Sequence, residues 1–453
     1  MHNKYDKKNV IVFGCGKQFK NKKGYLEKKF EIVALSDNNK ELHGRKIEGI
    51  NVITPSSIND YKYDYVVIAA FEEAEIRNQL VNIGIDNEKI FVLNELLTGI
   101  IEKKNYKGKI LVVVHTINTS GGFIAPLNAG FALVKNGYKV VLGTPYIEDV
   151  HGMYEAQSHG IEVWTIPSLP YIGESEIELF KGFDFVLFNT VKNLKTGIII
   201  SQYISSALWL HDPSVSYRNI KKVGFDGINN LKVYGVSKMA ADIFTRETGI
   251  EPTGLLPYGV EDFYKTDNVK ESDKLVFAMI GHIGPIKNQI EFVNAIKKLS
   301  CDERAKCEFW IIGRVFDKNY YQELCKDITN IPEIKILGEI PHKALEKDFK
   351  NIDVVVCCSV EDMLPINIVE GLMNKKICIV SSVTGIVSYI KDGESAFIYE
   401  QGDVSALTNK IIYVIRNNNK LDGIKSRARS IFLNYFSIES FSSSIEKIIA
   451  DSK

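Results

Sequence analysis

The feature that most restricts the fold of this chain is the alternation of short apolar runs with longer amphipathic stretches. The pattern begins at residues 10–13 (VIVF), begins again at 110–114 (ILVVV), and begins a third time at 275–280 (LVFAMI). Short apolar runs separated by amphipathic helices are typical of βα units, whose strands pair in parallel sheets. The sequence therefore predicts an α/β protein built from three Rossmann-like blocks.

Composition and charge narrow the class of protein. Lys plus Arg and Asp plus Glu both number 56 in the 453 residues, so no net charge attracts nucleic acid. No apolar run approaches the roughly 20 residues of a membrane-spanning helix. The N-terminal sequence lacks the apolar core of a signal peptide. Seven cysteines without paired spacing fit a reducing compartment, so a cytoplasmic protein is expected.

The three repeats of the pattern divide the chain into domains. Two consecutive open α/β domains of this size enclose a cleft, and ligands of such sheets bind at the carboxyl ends of the strands. The predicted division is an accessory Rossmann-like domain at 1–100, a polar linker at 101–108, facing α/β domains at 109–260 and 261–435, and a terminal helix at 436–453 that packs back across the domains.

Two acidic residues flank the start of a predicted helix in the last block. Asp362 follows a buried-looking apolar run, and seven residues separate it from Glu370 within the helix. A helix N-terminus offers unpaired N–H groups and a positive dipole to a diphosphate. Carboxylates accept hydrogen bonds from sugar or ribose hydroxyls. The segment is predicted to bind a sugar nucleotide, with Leu364 and Ile366 left to donate because Pro365 has no N–H.

A glycine-containing loop follows the first strand of the same block. It spans residues 281–289 (GHIGPIKNQ) and leads into a helix. Lys287 places a compact cation at that helix N-terminus, which suits a diphosphate leaving group. A solvated helix cap is the alternative interpretation of this lysine.

The second block also carries candidate ligand contacts at its strand ends. Ser120, Gly121 and Gly122 occupy a predicted loop after the first strand, and glycines let the backbone approach a ligand closely. A plain turn is the alternative there. His211 lies just past the run 207–210, where a structural histidine bonded to a nearby carbonyl is the alternative to a ligand contact.

In this order, the motifs resemble those of the retaining glycosyltransferases of family 4, which have the GT-B fold of two Rossmann-like domains facing a cleft. The resemblance covers about residues 109–435. The matching segments are the acids at 361–370 (in the family's variant with Leu-Pro after the first acid), the diphosphate loop at 281–289, the strand end at 236–238 (VSK), the hinge at 257–261 (PYGVE) and the turn at 384–388 (TGIVS).

Several of these segments depart from the family pattern. Tyr258 replaces an Asn in the hinge, where Gly259 is interpreted as supplying an unusual φ. His282 stands where the family usually has Arg, which makes Arg314 a candidate for the missing charge. The turn at 384–388 lacks the usual Pro and Glu.

The resemblance implies a role for each matching residue. Asp362 would be the acid near the donor sugar, Glu361 could share that role, and Glu370 would bind ribose hydroxyls. His211 would bond a hydroxyl of the transferred sugar. The implied catalytic set is His211, Glu361, Asp362 and Lys287, and the implied donor-binding set is Gly121, Gly122, Gly281, His282, Lys287, Arg314, Leu364, Ile366 and Glu370.

The implied function is a hexosyltransferase that moves a sugar from a nucleotide-diphosphate donor to a glycan or lipid-linked acceptor with retention, in bacterial surface polysaccharide biosynthesis. Neither a metal nor a cofactor is expected, because Lys287 and a helix N-terminus could stabilise the leaving diphosphate. The alternatives are a non-catalytic sugar-nucleotide-binding or scaffold protein and a sugar-nucleotide epimerase of the same architecture.

The first hundred residues carry an incomplete dinucleotide fingerprint. Gly14 and Gly16 end a strand and Asp37 follows the next strand, but Phe19 occupies the position where close helix packing needs Gly or Ala. NAD is therefore not expected. The block resembles small Rossmann-like domains of bacterial sugar-processing enzymes, which could bind a nucleotide, a partner or a membrane surface. Its lysine cluster is interpreted as a solvated face, with contact to anionic lipid at the inner membrane face as the alternative: Lys17, Lys20, Lys22, Lys23, Lys28 and Lys29.

Overall fold

The computed structural model describes residues 7–70, 73–93, 106–118, 121–220, 223–265 and 273–452. The chain divides into two compact units, Met1–Asn105 and Tyr106–Lys453. Within the described ranges, no helix combines the length and the apolar character needed to cross a membrane.

The first unit contains one sheet of six strands. Its order is β3-β4-β2-β1-β5-β6, parallel except for the β3–β4 pair. The central strand is buried on both faces because residues 10–13 are all apolar. The elements are β1 (Lys8–Phe13), α1 (Lys17–Lys29), β2 (Phe30–Ser36), β3 (Lys46–Ile47), β4 (Ile50–Ile53), β5 (Tyr65–Ile68), α2 (Glu73–Asn82) and β6 (Ile90–Val92).

The second unit begins with a parallel sheet of seven strands in the order β13-β12-β11-β10-β7-β8-β9. Its central strands are buried on both faces, as in other parallel sheets covered by helices. The elements are β7 (Lys109–Val113), α3 (Gly121–Lys135), β8 (Lys139–Thr144), α4 (Val150–Ser158), β9 (Glu162–Thr165), β10 (Phe185–Phe188), α5 (Leu194–Ile200), β11 (Ser206–Leu210), β12 (Leu231–Gly235), α6 (Lys238–Thr248) and β13 (Gly254–Leu255).

A second parallel sheet of the same unit has the order β16-β15-β14-β17-β18-β19. Because the chain winds to opposite sides of β14, the carboxyl ends of β14 and β17 flank a topological switch point. The elements are β14 (Leu275–Ile280), α7 (Gln289–Lys297), α8 (Cys301–Ala305), β15 (Cys307–Ile312), α9 (Lys318–Ile328), β16 (Ile334–Gly338), α10 (His342–Asp348), β17 (Val354–Cys357), α11 (Ile366–Met373), β18 (Ile377–Ser381), β19 (Phe397–Tyr399), α12 (Val404–Asn417) and α13 (Asp422–Ile431).

The chain then returns to the domain of the seven-stranded sheet. A π-helical turn (Phe432–Phe436) leads into α14 (Ile438–Ala450). Where it crosses, Val260 N–H donates to the carbonyl of Phe436 at 2.7 Å. Phe441 of α14 stacks on Trp209, with ring centroids 5.4 Å apart. The two domains of this unit are therefore joined by two chain crossings that lie side by side.

The three mainly parallel sheets confirm the predicted fold class. One local expectation was wrong: Gly121 and Gly122 form the first turn of α3 and not a loop. Ser120 and residues 101–105 of the predicted linker lie outside the described residues. The end of that linker belongs to the second unit, since Lys107 N–H donates to the carbonyl of Gly137 at 2.9 Å.

Candidate functional site

The two domains of the second unit meet at the carboxyl ends of their strands. Ser214, which follows β11, donates its N–H to Glu361 Oε1 at 3.1 Å, and Glu361 follows β17. The carboxyl edges of the two sheets therefore face each other. A groove of about 580 Å³ lies beside this contact and is lined from both domains, by Lys238 and Arg246 on α6 and by Glu361, Thr384 and Ser388 opposite.

An ion pair stands at the switch point of the six-stranded sheet. Lys287 Nζ lies 2.5 Å from Asp362 Oδ2, and the two side chains are only 19% and 15% exposed. Gly281, at φ +145°, lets the lysine pass close by, since a Cβ there would lie 3.3 Å from Lys287 Cε. Burial opposes the ammonium charge, but the attraction of Asp362 outweighs it and raises the pKa of Lys287. Lys287 is therefore cationic at neutral pH.

Two buried amide side chains hold the loop that carries Lys287. Gln289 donates to the carbonyl of His282 at 2.9 Å and accepts from the N–H of Gly284 at 3.2 Å. Asn367 on α11 donates to the carbonyl of Ile280 at 2.8 Å. Sequence reasoning missed both amides, although their place in the first turns of helices after the two motifs was a usable signal.

His282 does not replace the charge of the arginine found in the resembling family. Burial, then the nearby charges of Lys287 and Arg314, lower the pKa of His282, so the ring is neutral at neutral pH. Its ring lies against Phe316, with centroids 5.1 Å apart. Arg314 is close enough to act on His282 and lies at the exposed end of β15. It therefore stays the candidate for the missing cation.

The second acid lies deeper than the first. Pro365 is the N-cap of α11, and the N–H groups of Ile366 and Asn367 precede the first helical hydrogen bond, which Ile368 N–H donates to the carbonyl of Pro365 at 3.1 Å. Glu370 is buried, and its Oε1 lies 2.7 Å from Nε2 of His342 on α10. This hydrogen bond raises the pKa of His342. Nothing in the sequence pattern pointed to His342, which lies 28 residues from its partner.

The neighbouring acids Glu361 and Asp362 face different partners. Asp362 pairs with Lys287 inside its own domain, whereas Glu361 accepts the N–H of Ser214 from the other domain. Only Asp362 therefore stands beside the predicted diphosphate residue. Over the described part of the chain, no group of three or more His, Cys, Asp or Glu side chains is arranged to hold a metal ion.

His211 presents a solvent-shielded nitrogen at the end of the seven-stranded sheet. Its Nε2 is buried and has no hydrogen-bond partner among the described residues, so the bonded structural histidine considered above is not seen for this nitrogen. Its ring packs edge-on against Trp209 at 4.2 Å. Burial lowers the pKa of His211 to about 3, so the ring is neutral. The adjacent Asp212 instead holds the backbone, accepting from Val191 N–H at 2.7 Å.

The hinge segment contributes a residue that contacts the loop carrying Glu361 and Asp362. Tyr258 is buried, and its hydroxyl donates to the carbonyl of Leu364 at 2.6 Å. Gly259 was expected to adopt an unusual φ, and that expectation was wrong, since its φ is not positive. Glycine is required there for space, because a Cβ would lie 2.7 Å from Cβ of Phe441.

The first unit has a cavity of its own at the carboxyl ends of β1, β2 and β5. It measures about 260 Å³ and is lined by Gly14, Gly16, Asp37 and Ala69 among others. Gly14 has φ +103°, and a Cβ there would lie 2.7 Å from the carbonyl oxygen of Ala69. Asp37 accepts the N–H groups of Cys15 and Asn39, each at 2.9 Å. Both carboxylate oxygens of Asp37 therefore already accept backbone N–H groups.

Comparisons with known proteins give matches over both units. Residues 260–431 match the family model described as Glycosyl transferases group 1, and residues 6–91 match the model described as C2185-like, N-terminal. No curated protein matches the chain.

Several solved structures are similar to this chain. A crystal structure of Anabaena Alr3699/HepE in complex with UDP and glucose has a TM-score of 0.64 at 17% identity, covering 76% of this chain and 100% of that one. A glycosyltransferase from Rickettsia africae ESF-5 has a TM-score of 0.63 at 17% identity, covering 77% and 99%. Sucrose-phosphate synthase from Thermosynechococcus elongatus has a TM-score of 0.60 at 15% identity, covering 76% and 99%.

These matches define the class of the second unit. Its two facing parallel sheets have the GT-B fold, and the part of the chain that forms its second sheet is similar to group 1 glycosyl transferases. The comparisons thus show a GT-B fold and, over residues 260–431, a likeness to group 1 glycosyl transferases.

Proposed function

We propose that this protein transfers a hexose from a nucleotide-diphosphate sugar to a glycan or lipid-linked acceptor, with retention of anomeric configuration. The observation that carries the proposal is the Lys287–Asp362 pair beside the N-terminus of α11, with Glu370 buried farther along that helix. A cation, free helical N–H groups and two carboxylates are the groups that a sugar nucleotide needs. A UDP-sugar is the first donor to test, because the HepE structure contains UDP and glucose.

The donor would lie across the switch point of the six-stranded sheet. Lys287 and the first-turn N–H groups of α11 would contact the diphosphate, where cations and helix dipoles stabilise the charge that develops on the leaving group. Glu370 would accept ribose hydroxyls. Arg314 would add the charge that neutral His282 lacks.

The donor sugar would then reach toward the acids' loop and His211. Asp362 would contact a sugar hydroxyl as well as Lys287, and the unpartnered Nε2 of His211 would bond a second hydroxyl. The acceptor oxygen would attack from the face of the leaving phosphate and pass its proton to that phosphate. Such a front-face displacement retains the anomeric configuration and uses no protein nucleophile, metal or cofactor.

We further propose that the acceptor approaches from the cleft between the domains and that the enzyme acts in the cytoplasm, in surface polysaccharide biosynthesis. The facing carboxyl edges and the groove lined from both domains support this approach. Closure of the domains over the donor would exclude water and limit hydrolysis.

Donor binding is the direct test. The melting temperature of the full chain is measured with UDP-, GDP-, ADP- and CMP-sugars in EDTA, since a ligand of the folded state raises it. We expect one nucleotide class to raise it, and the shift to be lost in Lys287→Met and Glu370→Ala but kept in Lys297→Met, whose lysine pairs with Asp327 on the surface.

Turnover and product stereochemistry complete the test. Release of free nucleotide from the selected donor separates a transferase from a non-catalytic sugar-nucleotide-binding protein, and an altered donor sugar would identify an epimerase. An inverted anomeric centre in the product would refute retention, and an absolute need for a divalent ion would refute metal independence.

A further inference from the structure

The loop between β17 and α11 is held by three consecutive carbonyl groups. We call residues 361–365 the acid loop. The carbonyl of Asp362 accepts the N–H of Gly385 at 2.8 Å. The carbonyl of Met363 accepts the hydroxyl of Ser237 at 2.6 Å, and the carbonyl of Leu364 accepts the hydroxyl of Tyr258 at 2.6 Å. Two of the three donors come from the opposite domain, so the acid loop is positioned across the cleft.

The atoms around these hydrogen bonds are closely packed. A Cβ on Gly385 would lie 1.7 Å from the carbonyl oxygen of Met363 and 2.3 Å from Oγ of Ser237. Ser237 is fully buried and Tyr258 is 5% exposed, so water does not compete freely for these carbonyls. A buried carbonyl that loses its donor keeps the free-energy cost of desolvation without the hydrogen bond that offsets it.

Tyr258 also contacts the other side of the predicted sugar site. Its ring lies nearly parallel to that of His211, with centroids 6.5 Å apart and 21° between the planes. His211 in turn packs on Trp209, which is fixed by its Nε1 donating to the carbonyl of Leu256 at 2.6 Å. One tyrosine thus lies against the histidine of one domain and bonds to the acid loop of the other.

We propose that Tyr258 is a positioning residue, whose hydroxyl fixes the acid loop so that Asp362 and the start of α11 meet the donor while its ring fixes His211. Its effect on turnover rests on the function proposed above, but its effect on the loop does not. The family that the chain resembles has Asn at this position, so the reach of the tyrosine hydroxyl to Leu364 is a property of this chain.

A second tyrosine provides a matched control. The hydroxyl of Tyr389 also donates across the two domains, to the carbonyl of Val236 at 2.8 Å. Here the tyrosine belongs to the domain of the six-stranded sheet, and the acceptor lies just after β12 of the other domain. Tyr258→Phe and Tyr389→Phe therefore each remove one tyrosine hydroxyl that bonds across the domains. Only the first frees an acid-loop carbonyl.

The first experiment is hydrogen exchange of the full chain followed by mass spectrometry. In Tyr258→Phe we expect peptides spanning residues 361–370 to exchange about tenfold faster, which is the effect of losing one buried hydrogen bond. Peptides from β14 serve as the internal reference and should not change. Equal effects of Tyr258→Phe and Tyr389→Phe on the acid loop, no effect of either, or an equal rise in β14 would each overturn the proposal.

The second experiment measures release of UDP from UDP-glucose. In Tyr258→Phe we expect kcat to fall about tenfold while the Kd for UDP stays within about threefold, because Lys287, Arg314 and Glu370 lie outside the acid loop and would still bind the nucleotide. A loss of UDP affinity with kcat unchanged would overturn the positioning role. If the wild-type chain releases no UDP, the proposed function fails for this donor and the exchange experiment alone decides the role of Tyr258.

Discussion

The Lys287–Asp362 pair leads to a quantitative prediction about stability. Lys287→Met keeps the length of the side chain and removes its charge, which leaves Asp362 as a largely buried carboxylate without its cation. Loss of one partner from a buried pair costs about 3–5 kcal/mol. Because the two side chains are 19% and 15% exposed, we expect the lower end, about 3 kcal/mol.

A surface pair in the same domain gives the control. Lys297 Nζ lies 2.8 Å from Asp327 Oδ1, but these side chains are 37% and 32% exposed. Pairs of that kind contribute about 0–1 kcal/mol, so Lys297→Met should change the stability little. At roughly 2–4 °C per kcal/mol, Lys287→Met should lower the melting temperature by about 6–12 °C.

The double variant tests whether the loss arises from the unpaired charge. Asp362→Asn added to Lys287→Met removes that charge, so the double variant should melt above Lys287→Met alone. The assay is thermal unfolding of all four proteins of this cycle at pH 7 and low salt. If Lys287→Met melts like Lys297→Met, or if Asp362→Asn lowers the melting temperature further in the Lys287→Met background, the pair is not coupled as argued.

Three further perturbations follow from the site. His342 and His211 give opposite pH dependences: the raised pKa of His342 stabilises the fold below about pH 6.5, an effect lost as pH rises through its folded pKa. The lowered pKa of His211, about 3, destabilises the fold as pH falls below about 6.5. The melting temperature should therefore be measured from pH 4 to 8. His342→Gln should remove the part of its fall above about pH 6.5, and His211→Gln the part of its fall below about pH 6.5. Gly385→Ala should abolish the UDP-induced melting shift because its Cβ meets an acid-loop carbonyl at 1.7 Å, whereas Gly423→Ala, with 3.4 Å to its nearest neighbour, should keep it. Glu370→Gln should weaken UDP binding by about tenfold to a hundredfold in calorimetry, since hydrogen bonds to a charged acceptor contribute about 1.5–3 kcal/mol, and unchanged affinity would remove Glu370 from the ribose site.

The sequence predicted the sheets well because long apolar runs are a strong signal. The runs at 10–13, 110–114 and 275–280 all became central strands. Two short strands, β4 and β19, were not predicted, since a few apolar residues between polar ones are a weak signal. Gly121 and Gly122 were misplaced because glycine favours loops on average, whereas here they start a helix.

The site was predictable in its parts and not in its pairings. The order of motifs indicated Lys287, Asp362 and Glu370, and helix starts followed each loop as expected. The partners of those residues could not be predicted, because a hydrogen bond between residues 106 positions apart, such as that from Tyr258 to Leu364, leaves no local pattern. A family resemblance assigns roles only to the residues that match the family. It therefore gave no role to Tyr258, which replaces the family's Asn.

The paired chain crossings at Val260 and Phe436 have a mechanical consequence. A single connection would let one domain swivel freely about it. Two connections joined by a hydrogen bond of 2.7 Å instead form a parallel bridge between Val260 and Ser437, which restrains twisting of one domain against the other. If the cleft opens, we therefore expect the two domains to rotate about this bridge and to keep their alignment along it.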